Sequence, residues 1–170
     1  MYTIRRLRPT DYSKVYRLFC ASIQSQFPEY TPGVKAYIVK ERSYWNRVYY
    51  KNKLHNKNRI MFGAFKKTVL VGILDAEHPF GGVSMGSWLI VNPQFKRKGI
   101  GTRLLRRWQK EISKRGGHML YLYSPRRNVT FYKKIGFTKA GFLSKGYFGI
   151  DEYIFTKQIR KPNEHKFLTS

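Results

Sequence analysis

The sequence has few acidic residues and a single cysteine. Nine Asp and Glu stand against 34 Lys and Arg, which gives a formal net charge of +25 and an isoelectric point near 10.4. A field of this sign attracts nucleic acids and other polyanions and repels small cations. An unusual cellular background is the competing explanation, because the basic residues are spread along the whole chain. With Cys20 alone, no intrachain disulfide can form, which suits a reducing compartment.

Long apolar runs and metal-ligand patterns are also missing. No run approaches the roughly 20 apolar residues that cross a bilayer, and "MYTIRRLRPTD" lacks the apolar segment and cleavage site of a signal peptide. We therefore expect a cytoplasmic protein that does not bind a membrane. Four scattered histidines and one cysteine give no metal-ligand spacing, and neither a Ser-His-Asp nor a Cys-His arrangement is visible. We expect no bound metal.

The remaining composition is that of a folded domain. In 170 residues, 42% are hydrophobic and 16% aromatic, enough for one core despite the charge. We predict a single domain over residues 1–160 and a frayed basic tail over 161–170. The apolar periodicities and turn signals give the order β-α-α-β-β-β-α-β-α-β-β. This order predicts a mixed α/β or α+β fold, with a central sheet of about six to seven strands flanked by helices.

Helical spacing predicts which side chains face the core. The first helix opens near Thr10 or Asp11, and the second begins at Thr31-Pro32, a cap residue followed by proline. Aromatic residues of the second helix either pack in the core or line an acceptor pocket. The predicted apolar faces are Val15, Leu18, Phe19, Ser22 and Ile23 in the first helix and Ile100, Leu104, Leu105, Trp108 and Ile112 in the helix that follows "SWLIV". The aromatic residues of the second helix are Tyr37, Tyr44, Trp45, Tyr49 and Tyr50.

The segment "SWLIVNPQFKRKGIGTRLL" brings a strand to a glycine turn and then to a helix. The first N–H groups of that helix have no internal partners, and the helix dipole favours negative charge there. Gly99 and Gly101 allow a ligand to approach the backbone, and three adjacent cations add attraction. A Walker-type phosphate loop is absent, and the Rossmann pattern fails because Leu104 stands where a glycine is required. From these residues alone, a pyrophosphate site and a solvated basic loop both remain open.

The same segment resembles the acetyl-CoA binding segment of the GNAT superfamily of N-acetyltransferases. That family's pattern runs Leu-x-Val-x-Pro and then Gln/Arg-x-x-Gly-x-Gly/Ala, and Leu89, Val91, Pro93, Gly99 and Gly101 fall in register with it. Lys96 stands where the family usually has Gln or Arg. The resemblance covers nearly the whole chain and is strongest from Leu89 to Phe137.

The later segment "FYKKIGF" resembles the family's tyrosine motif. It places Tyr132 at the position of the general acid that reprotonates the departing CoA thiolate. The family often has an asparagine seven residues before this tyrosine, where this chain has Pro125. Asn128, four residues before the tyrosine, is the asparagine that we assign to the cofactor.

The resemblance implies that acetyl-CoA is the cosubstrate and that a primary amine attacks the acetyl group directly. It also implies that "SWLIV" splays from "HMLYLYS" to leave a cleft for pantetheine, whose amides pair with the strand around Leu89 and Val91. The turn that follows would hold the pyrophosphate. The residues expected to contact the cofactor are Leu89, Ile90, Val91, Lys96, Arg97, Lys98, Gly99, Ile100, Gly101, Thr102 and Asn128.

The sequence does not identify a general base. An alkyl ammonium with a pKa near 10.4 must lose a proton before it attacks, yet "SWLIV" contains no carboxylate. Glu77 is our candidate, and Glu29, Asp75 and His78 are the alternatives. A water relay, or an acceptor amine of lower pKa, would remove the need for any of them.

The net charge bears on the acceptor. A +25 protein should repel free polyamines and aminoglycosides, so we expect an amine in an anionic setting, such as aminoacyl-tRNA, a protein on nucleic acid or an acidic peptide N-terminus. The aminoacyl-tRNA case resembles the toxin branch of the family. A nucleic-acid-binding module that kept the fold without catalysis remains an alternative, since basic and aromatic residues alternate along the chain. A homodimer also remains open.

Overall fold

The computed structural model of the chain describes residues 1–40 and 47–168. Its fold is α/β, with one mixed sheet of seven strands in the order β1-β2-β3-β4-β5-β7-β6 and flanking helices. The predicted fold class is therefore confirmed. The strands are β1 (Thr3–Arg6), β2 (Arg59–Lys66), β3 (Val69–Glu77), β4 (Val83–Val91), β5 (Met119–Ser124), β6 (Thr138–Leu143) and β7 (Glu152–Gln158). The helices are α1 (Tyr12–Gln26), α2 (Pro32–Val39), α3 (Arg47–His55), α4 (Ile100–Lys114), α5 (Val129–Lys134) and α6 (Glu164–Leu168).

The chain divides into two compact units. The first unit comprises Met1–Asp75 and Trp88–Leu105, and the second comprises Ala76–Ser87 and Arg106–Ser170. In the first, β1 pairs antiparallel with β2, from Thr3 opposite Phe65 to Arg6 opposite Phe62. In the second, Val83 to Gly86 of β4 pair parallel with Met119 to Leu122 of β5, and β7 pairs antiparallel with both β5 and β6.

Helical periodicity identified the core faces of two helices correctly. The predicted residues of α1 are all buried, and so are those of α4. The cap of α2 is confirmed as well, because the Thr31 hydroxyl accepts a hydrogen bond from the Val34 N–H ahead of Pro32. At the start of α1, Asp11 occupies the cap position, but its carboxylate accepts from Arg5 and the Arg8 N–H instead.

The predicted second helix is divided. α2 ends at Val39 and α3 begins at Arg47, with residues 41–46 outside the described ranges, so the assignments of Tyr44 and Trp45 fall outside them too. Of the described aromatics, Tyr50 is buried and its ring packs at a tilt against Phe19, as core packing predicts. Tyr37 is exposed.

Regular structure extends into two segments where the sequence patterns did not predict it, the start of β4 and the C-terminal tail. β4 starts at Val83 rather than Ser87, because Gly81 and Gly82, both at positive φ, complete a turn closed by the Phe80–Val83 bridge. The expected frayed tail contains α6, whose backbone lies against Gly116 at the end of α4. No helix within the described ranges is both long and apolar enough to span a bilayer.

Candidate functional site

The glycine turn before α4 has the backbone geometry of an anion cradle. After β4, a single 3-10 turn (Pro93–Phe95) is capped by the Asn92 side chain, which accepts from the Gln94 N–H. Arg97 and Gly99 then both adopt positive φ, 59° and 73°. The first helical hydrogen bond of α4 runs from the Arg103 N–H to the Gly99 carbonyl. The N–H groups of the three residues before Arg103 therefore have no partner within the helix and are available to a ligand.

Close packing in the first unit fixes the start of α4. A Cβ atom added to Gly72 of β3 would lie 3.1 Å from Ile100 Cγ2, 3.2 Å from the Ile90 carbonyl oxygen and 3.3 Å from Leu104 Cδ1. The backbone of β3 is thus covered directly by β4 and by the first turn of α4. The Asn92 N–H donates to the Val71 carbonyl, which holds the end of β4 on β3. These contacts determine where the helix N-terminus points.

The side chains around this turn are cationic and open. Lys96, Arg97, Lys98 and Gly99 are exposed. A Cβ atom at Gly99 would have no other atom within 4 Å, so the space beside this glycine is open. Lys98 donates to the Gln94 carbonyl and lies over the Phe95 ring. The other predicted cofactor residues of the first unit differ in burial. Leu89 and Val91 are half-buried, Ile90 and Ile100 are buried, and Gly101 and Thr102 are half-buried in the first turn of α4.

Tyr132 lies in the second unit, almost fully buried in α5. Its ring contacts Phe131, Phe137 and Phe155, and its hydroxyl shares a hydrogen bond with Ser124 of β5. Burial raises the pKa of Tyr132 to about 12, while Ser124 and the nearby Arg127 act in the opposite direction. The phenol is therefore protonated at neutral pH and can act as a donor.

Asn128 is linked to Tyr132 through Ser124. Its side-chain amide donates to Ser124 Oγ at 2.9 Å, so Asn128, Ser124 and Tyr132 form one connected polar group. Its assignment to the cofactor stays a prediction. Ser124 was not among the predicted site residues, although its place as the last residue of an alternating strand was a signal that could have found it.

The candidate bases have different environments. Asp75 is 1% exposed and forms ion pairs with Lys53 and Arg59, which argues for a structural role. Glu77 is half-buried at the end of β3. The pKa of Tyr121 is raised mainly by burial, and Tyr123 and Glu77 add to the shift. His78 Nδ1 lies 3.1 Å from the Pro79 carbonyl oxygen, and Glu29 is half-buried. The assignment of Glu77 as the base remains a prediction.

One further carboxylate was missed. Glu152 opens β7, is 8% exposed and has a side-chain oxygen, Oε2, that lacks a hydrogen-bond partner among the described residues. Sequence reasoning placed it only within a closing strand, because its burial depends on how β7 pairs with its neighbours. Within the described ranges, His, Cys, Asp and Glu nowhere form a group of three or more that could hold a metal ion.

Comparison with known proteins agrees with this geometry. Residues 35–145 match the family model described as an acetyltransferase (GNAT) domain. A search of curated protein sequences finds no match.

Solved structures extend the similarity over nearly the whole chain. The PaiA N-acetyltransferase of Thermoplasma acidophilum in complex with coenzyme A has a TM-score of 0.81 and 22% identity, over 93% of this chain and 99% of that one. The ribosomal-protein-S18-alanine N-acetyltransferase of Escherichia coli has a TM-score of 0.73 and 20% identity, over 96% and 97%. An aminoglycoside 6'-N-acetyltransferase complexed with coenzyme A has a TM-score of 0.69 and 20% identity, over 95% and 99%. At these identities the structures establish the fold.

Proposed function

Because the chain belongs to the GNAT family of acetyltransferases, we propose that it transfers an acetyl group from acetyl-CoA to a primary amine by direct attack. The observation that carries the proposal is the turn of residues 96–102, where free helix N–H groups, positive φ at Gly99 and exposed cations coincide. Such a turn suits a pyrophosphate. Similar structures contain coenzyme A, which supports the same ligand here.

Each part of the turn has a distinct task in this proposal. Backbone N–H groups at Ile100, Gly101 and Thr102 donate to the phosphate oxygens, and the helix dipole adds to the attraction. Lys96, Arg97 and Lys98 contribute charge from exposed positions, so each is expected to add less than the backbone does. The edge of β4 at Leu89 and Val91 is proposed to pair with the pantetheine amides, while Ile90 anchors the strand in the core.

Tyr132 is proposed to act on the leaving sulfur. Acetyl-CoA supplies the activated acetyl thioester, and the acceptor nitrogen forms a bond to the carbonyl carbon as the C–S bond breaks. A phenol whose pKa is about 12 keeps its proton until charge develops on sulfur. It then donates a hydrogen bond to the thiolate and passes on the proton, and Ser124 stabilises the phenolate that forms. The nitrogen loses one proton as it becomes an amide, which balances the proton that Tyr132 must regain.

The basic surface supports an acceptor in an anionic setting. In the second unit an open depression of about 730 Å³ lies at the C-terminal end of α4. Its lining contains no carboxylate, in a protein whose net charge is +25. An RNA or an acidic protein surface carrying the amine would be attracted there. The lining residues are His78, Ser113, Lys114, Arg115, Gly116, Arg160, His165 and Lys166.

A protein or RNA-borne amine is therefore the acceptor class that we favour. The ribosomal-protein-S18-alanine enzyme is by name an N-acetyltransferase of a ribosomal protein, which is consistent with this class. An aminoacyl-tRNA is the RNA-borne form, and its α-amino group is less basic than a lysine side chain. A nucleic-acid-binding module without catalysis is the alternative function, and the same depression would serve it.

The test is an acceptor screen that follows release of CoA thiol. The panel should contain aminoacyl-tRNA, ribosomal proteins, an alanyl peptide amide, a polyamine and an aminoglycoside, each at matched amine concentration. We expect release with an amine in an anionic setting and little with the polyamine. Binding of RNA without thiol release from any amine would favour the non-catalytic alternative.

A further inference from the structure

The second unit contains a buried carboxylate, Glu152, that forms no ion pair with any residue that the structure describes. In this basic chain the other well-buried carboxylates are paired: Asp11 with Arg5, and Asp75 with Lys53 and Arg59. Glu152 is 8% exposed, compared with 4% for Asp11 and 1% for Asp75, and its Oε2 has no hydrogen-bond partner among the described residues. Leaving a carboxylate in this state costs free energy, which a cation supplied from outside would recover.

The turn at Gly146 packs closely on Glu152. A Cβ at Gly146 would lie 2.7 Å from Leu143 Cδ2 and 3.1 Å from Glu152 Oε2, so a larger residue there would displace the Leu143 side chain and press on the carboxylate. The Gly146 N–H donates to the Ile150 carbonyl, and a backbone hydrogen bond from Tyr147 reaches Glu152. Asp151, the neighbouring carboxylate, is engaged by the Lys145 N–H at 2.9 Å.

An aromatic row shares the face of the sheet on which Glu152 lies. Side chains of a strand alternate between faces, so Glu152 lies on the same face of β7 as Ile154. Ile154 is directly opposite Tyr123 of β5, which places Tyr123 on that face too. The Tyr123 ring contacts Tyr121 at 6.1 Å and Tyr147 at 5.9 Å between centroids. Tyr147 is 61% exposed, while Tyr121 and Tyr123 are half-buried, so the row meets solvent at Tyr147.

A carboxylate oxygen without a partner, on the same face of the sheet as a row of tyrosine rings, suits one chemical class of ligand. Ammonium groups are attracted to the faces of aromatic rings and form charge-assisted hydrogen bonds with carboxylates. Neither feature would attract a phosphate, and the depression lined by Lys114 and Arg160 lies on other residues of the unit. The acidic character is shared by Glu77, which lies close enough to Tyr121 to affect it.

We propose that Glu152 and the row of Tyr121, Tyr123 and Tyr147 form the site that receives the acceptor amine as its ammonium ion, with Glu152 taking the proton that the amine must lose. This inference rests on the proposed acetyl transfer. The ammonium gives one proton to the Glu152 carboxylate, and the neutral nitrogen attacks the acetyl carbonyl carbon. The C–N bond forms as the C–S bond breaks, and the thiolate takes the proton of Tyr132. The nitrogen loses its second proton to solvent as it becomes an amide, and the Tyr132 phenolate is reprotonated from solvent.

The environment of Glu152 fits both tasks. Burial raises the pKa of Glu152, with the backbone hydrogen bond from Tyr147 opposing the shift. A carboxylate that is more basic than usual takes a proton from an ammonium more readily. A site for one ammonium also explains how a protein with a net charge of +25 can bind an amine. The carboxylate attracts the ammonium at short range, while the basic surface attracts the anionic RNA or protein that carries the amine.

The test uses n-butylammonium as a probe, with n-butanol as its uncharged counterpart of equal chain length. Amide resonances of Gly146, Tyr147 and Ile154 are followed during titration of the whole protein. We expect saturable shifts with butylammonium and none with butanol. In Glu152→Gln the dissociation constant for butylammonium should rise about tenfold or more, since a charge-assisted hydrogen bond is lost.

Matched variants separate charge from folding. Glu164→Gln removes one exposed carboxylate elsewhere in the unit and should leave the butylammonium affinity unchanged. Tyr147→Phe keeps a ring and should retain the affinity, whereas Tyr147→Ala should weaken it. If the amide spectrum of Glu152→Gln loses the dispersion of a folded protein, the butylammonium affinity of Tyr147→Ala becomes the test. The Tyr147 side chain is exposed and contributes little to folding, so a weaker affinity in this variant reports on the site.

Two results would overturn the inference: an unchanged butylammonium affinity in Glu152→Gln, or butanol binding as tightly as butylammonium. Calorimetry of acetyl-CoA on the same protein keeps the two proposals apart. Acetyl-CoA binding without a saturable ammonium response sinks the Glu152 site and leaves the proposed function standing. Failure of acetyl-CoA to bind contradicts the proposed function itself.

Discussion

The hydroxyl of Tyr132 lies in surroundings that determine what it can do. Three aromatic rings enclose the phenol, and Ser124 is its polar partner. With a pKa of about 12 the hydroxyl ionises too late to act as a base at neutral pH, but it has a proton to give. This is why the proposed role concerns the leaving sulfur.

Replacing Tyr132 with phenylalanine tests that role. Because the ring and its packing remain, Tyr132→Phe should fold normally and bind acetyl-CoA with unchanged affinity, while kcat falls by about 10²–10⁴. Steady-state kinetics and calorimetry measure the two effects separately. Tyr153→Phe is the matched control, since Tyr153 is a half-buried tyrosine of the same unit and should keep full kcat. Equal kcat in both variants would remove Tyr132 from the chemistry.

The pair of Asp11 and Arg5 makes a prediction about stability and pH. The guanidinium of Arg5 donates to both carboxylate oxygens at 2.7 and 2.9 Å, and this hydrogen bonding lowers the pKa of Asp11. A lowered folded pKa means that the stabilisation is complete above the unfolded value near 3.9 and is lost as pH falls through the folded value. Asp11→Asn should therefore cost about 1–2 kcal/mol at pH 7, at the modest end because Arg5 is partly exposed.

Urea unfolding of wild type and Asp11→Asn at several pH values measures this difference. The gap between the two proteins should narrow steadily below pH 4. A gap that stays constant down to pH 2 would show that the charge of Asp11 does not provide the stabilisation.

At the scale of elements, α4 depends on a glycine of the neighbouring strand. Gly72→Ala places a methyl group 3.1–3.3 Å from Ile100, Leu104 and the Ile90 carbonyl, so the first turn of α4 must shift. We expect a loss of about 1–3 kcal/mol in unfolding free energy and weaker acetyl-CoA binding. Gly141→Ala is the control, because its new methyl meets only the flexible Ile154 side chain at 3.3 Å.

Denaturant unfolding and calorimetry on both variants check this prediction. If the Gly72→Ala variant is destabilised but binds acetyl-CoA with normal affinity, the position of the start of α4 does not determine that affinity. Loss of affinity in Gly141→Ala would equally contradict the account.

Some features of the helices and strands could be predicted from the sequence, and others could not. The core faces of α1 and α4 follow from a 3.6-residue period, because amphipathic helices keep that spacing whatever lies against them. The glycine turn follows from Gly99, Gly101 and the strand before them. The break between α2 and α3 could not be predicted, because aromatic residues continue from one helix into the other. β4 was predicted too short because glycines such as Gly86 weaken the strand signal, and Gly86 stays in the strand by fitting against Trp108.

The missed site residues share one cause. Glu152 is buried by its position on β7 and by the turn at Gly146, and the Ser124–Tyr132 bond joins β5 to α5. Both depend on contacts between segments far apart in sequence. Periodicity within one segment carries no information about such contacts.

At the scale of the whole molecule, charge is the feature that the fold alone does not explain. A net charge of +25 predicts RNA binding whose affinity falls steeply as salt rises. Charge reversal in the depression of the second unit, Lys114→Glu with Arg160→Glu, should weaken binding of a tRNA by about tenfold or more at 0.1 M salt and reduce the salt slope. Lys51→Glu with Lys57→Glu, two exposed lysines outside the depression, is the control of equal charge.

Filter binding or fluorescence anisotropy at several salt concentrations measures both effects. Equal weakening in the two double variants would mean that net charge, and not the depression, attracts the RNA.

Acetyl-CoA binding at the turn of residues 96–102 is the central claim. Gly101 and Gly33 each occupy the second position of a helix, and the space beside Gly33 is open, so glutamate at either position makes a matched pair. Calorimetry with acetyl-CoA should give tight binding to wild type and to Gly33→Glu, and a loss of about a hundredfold or more in Gly101→Glu, where the new carboxylate faces the pyrophosphate. Equal affinity in the two variants, or no binding to wild type at high micromolar acetyl-CoA, would contradict the claim.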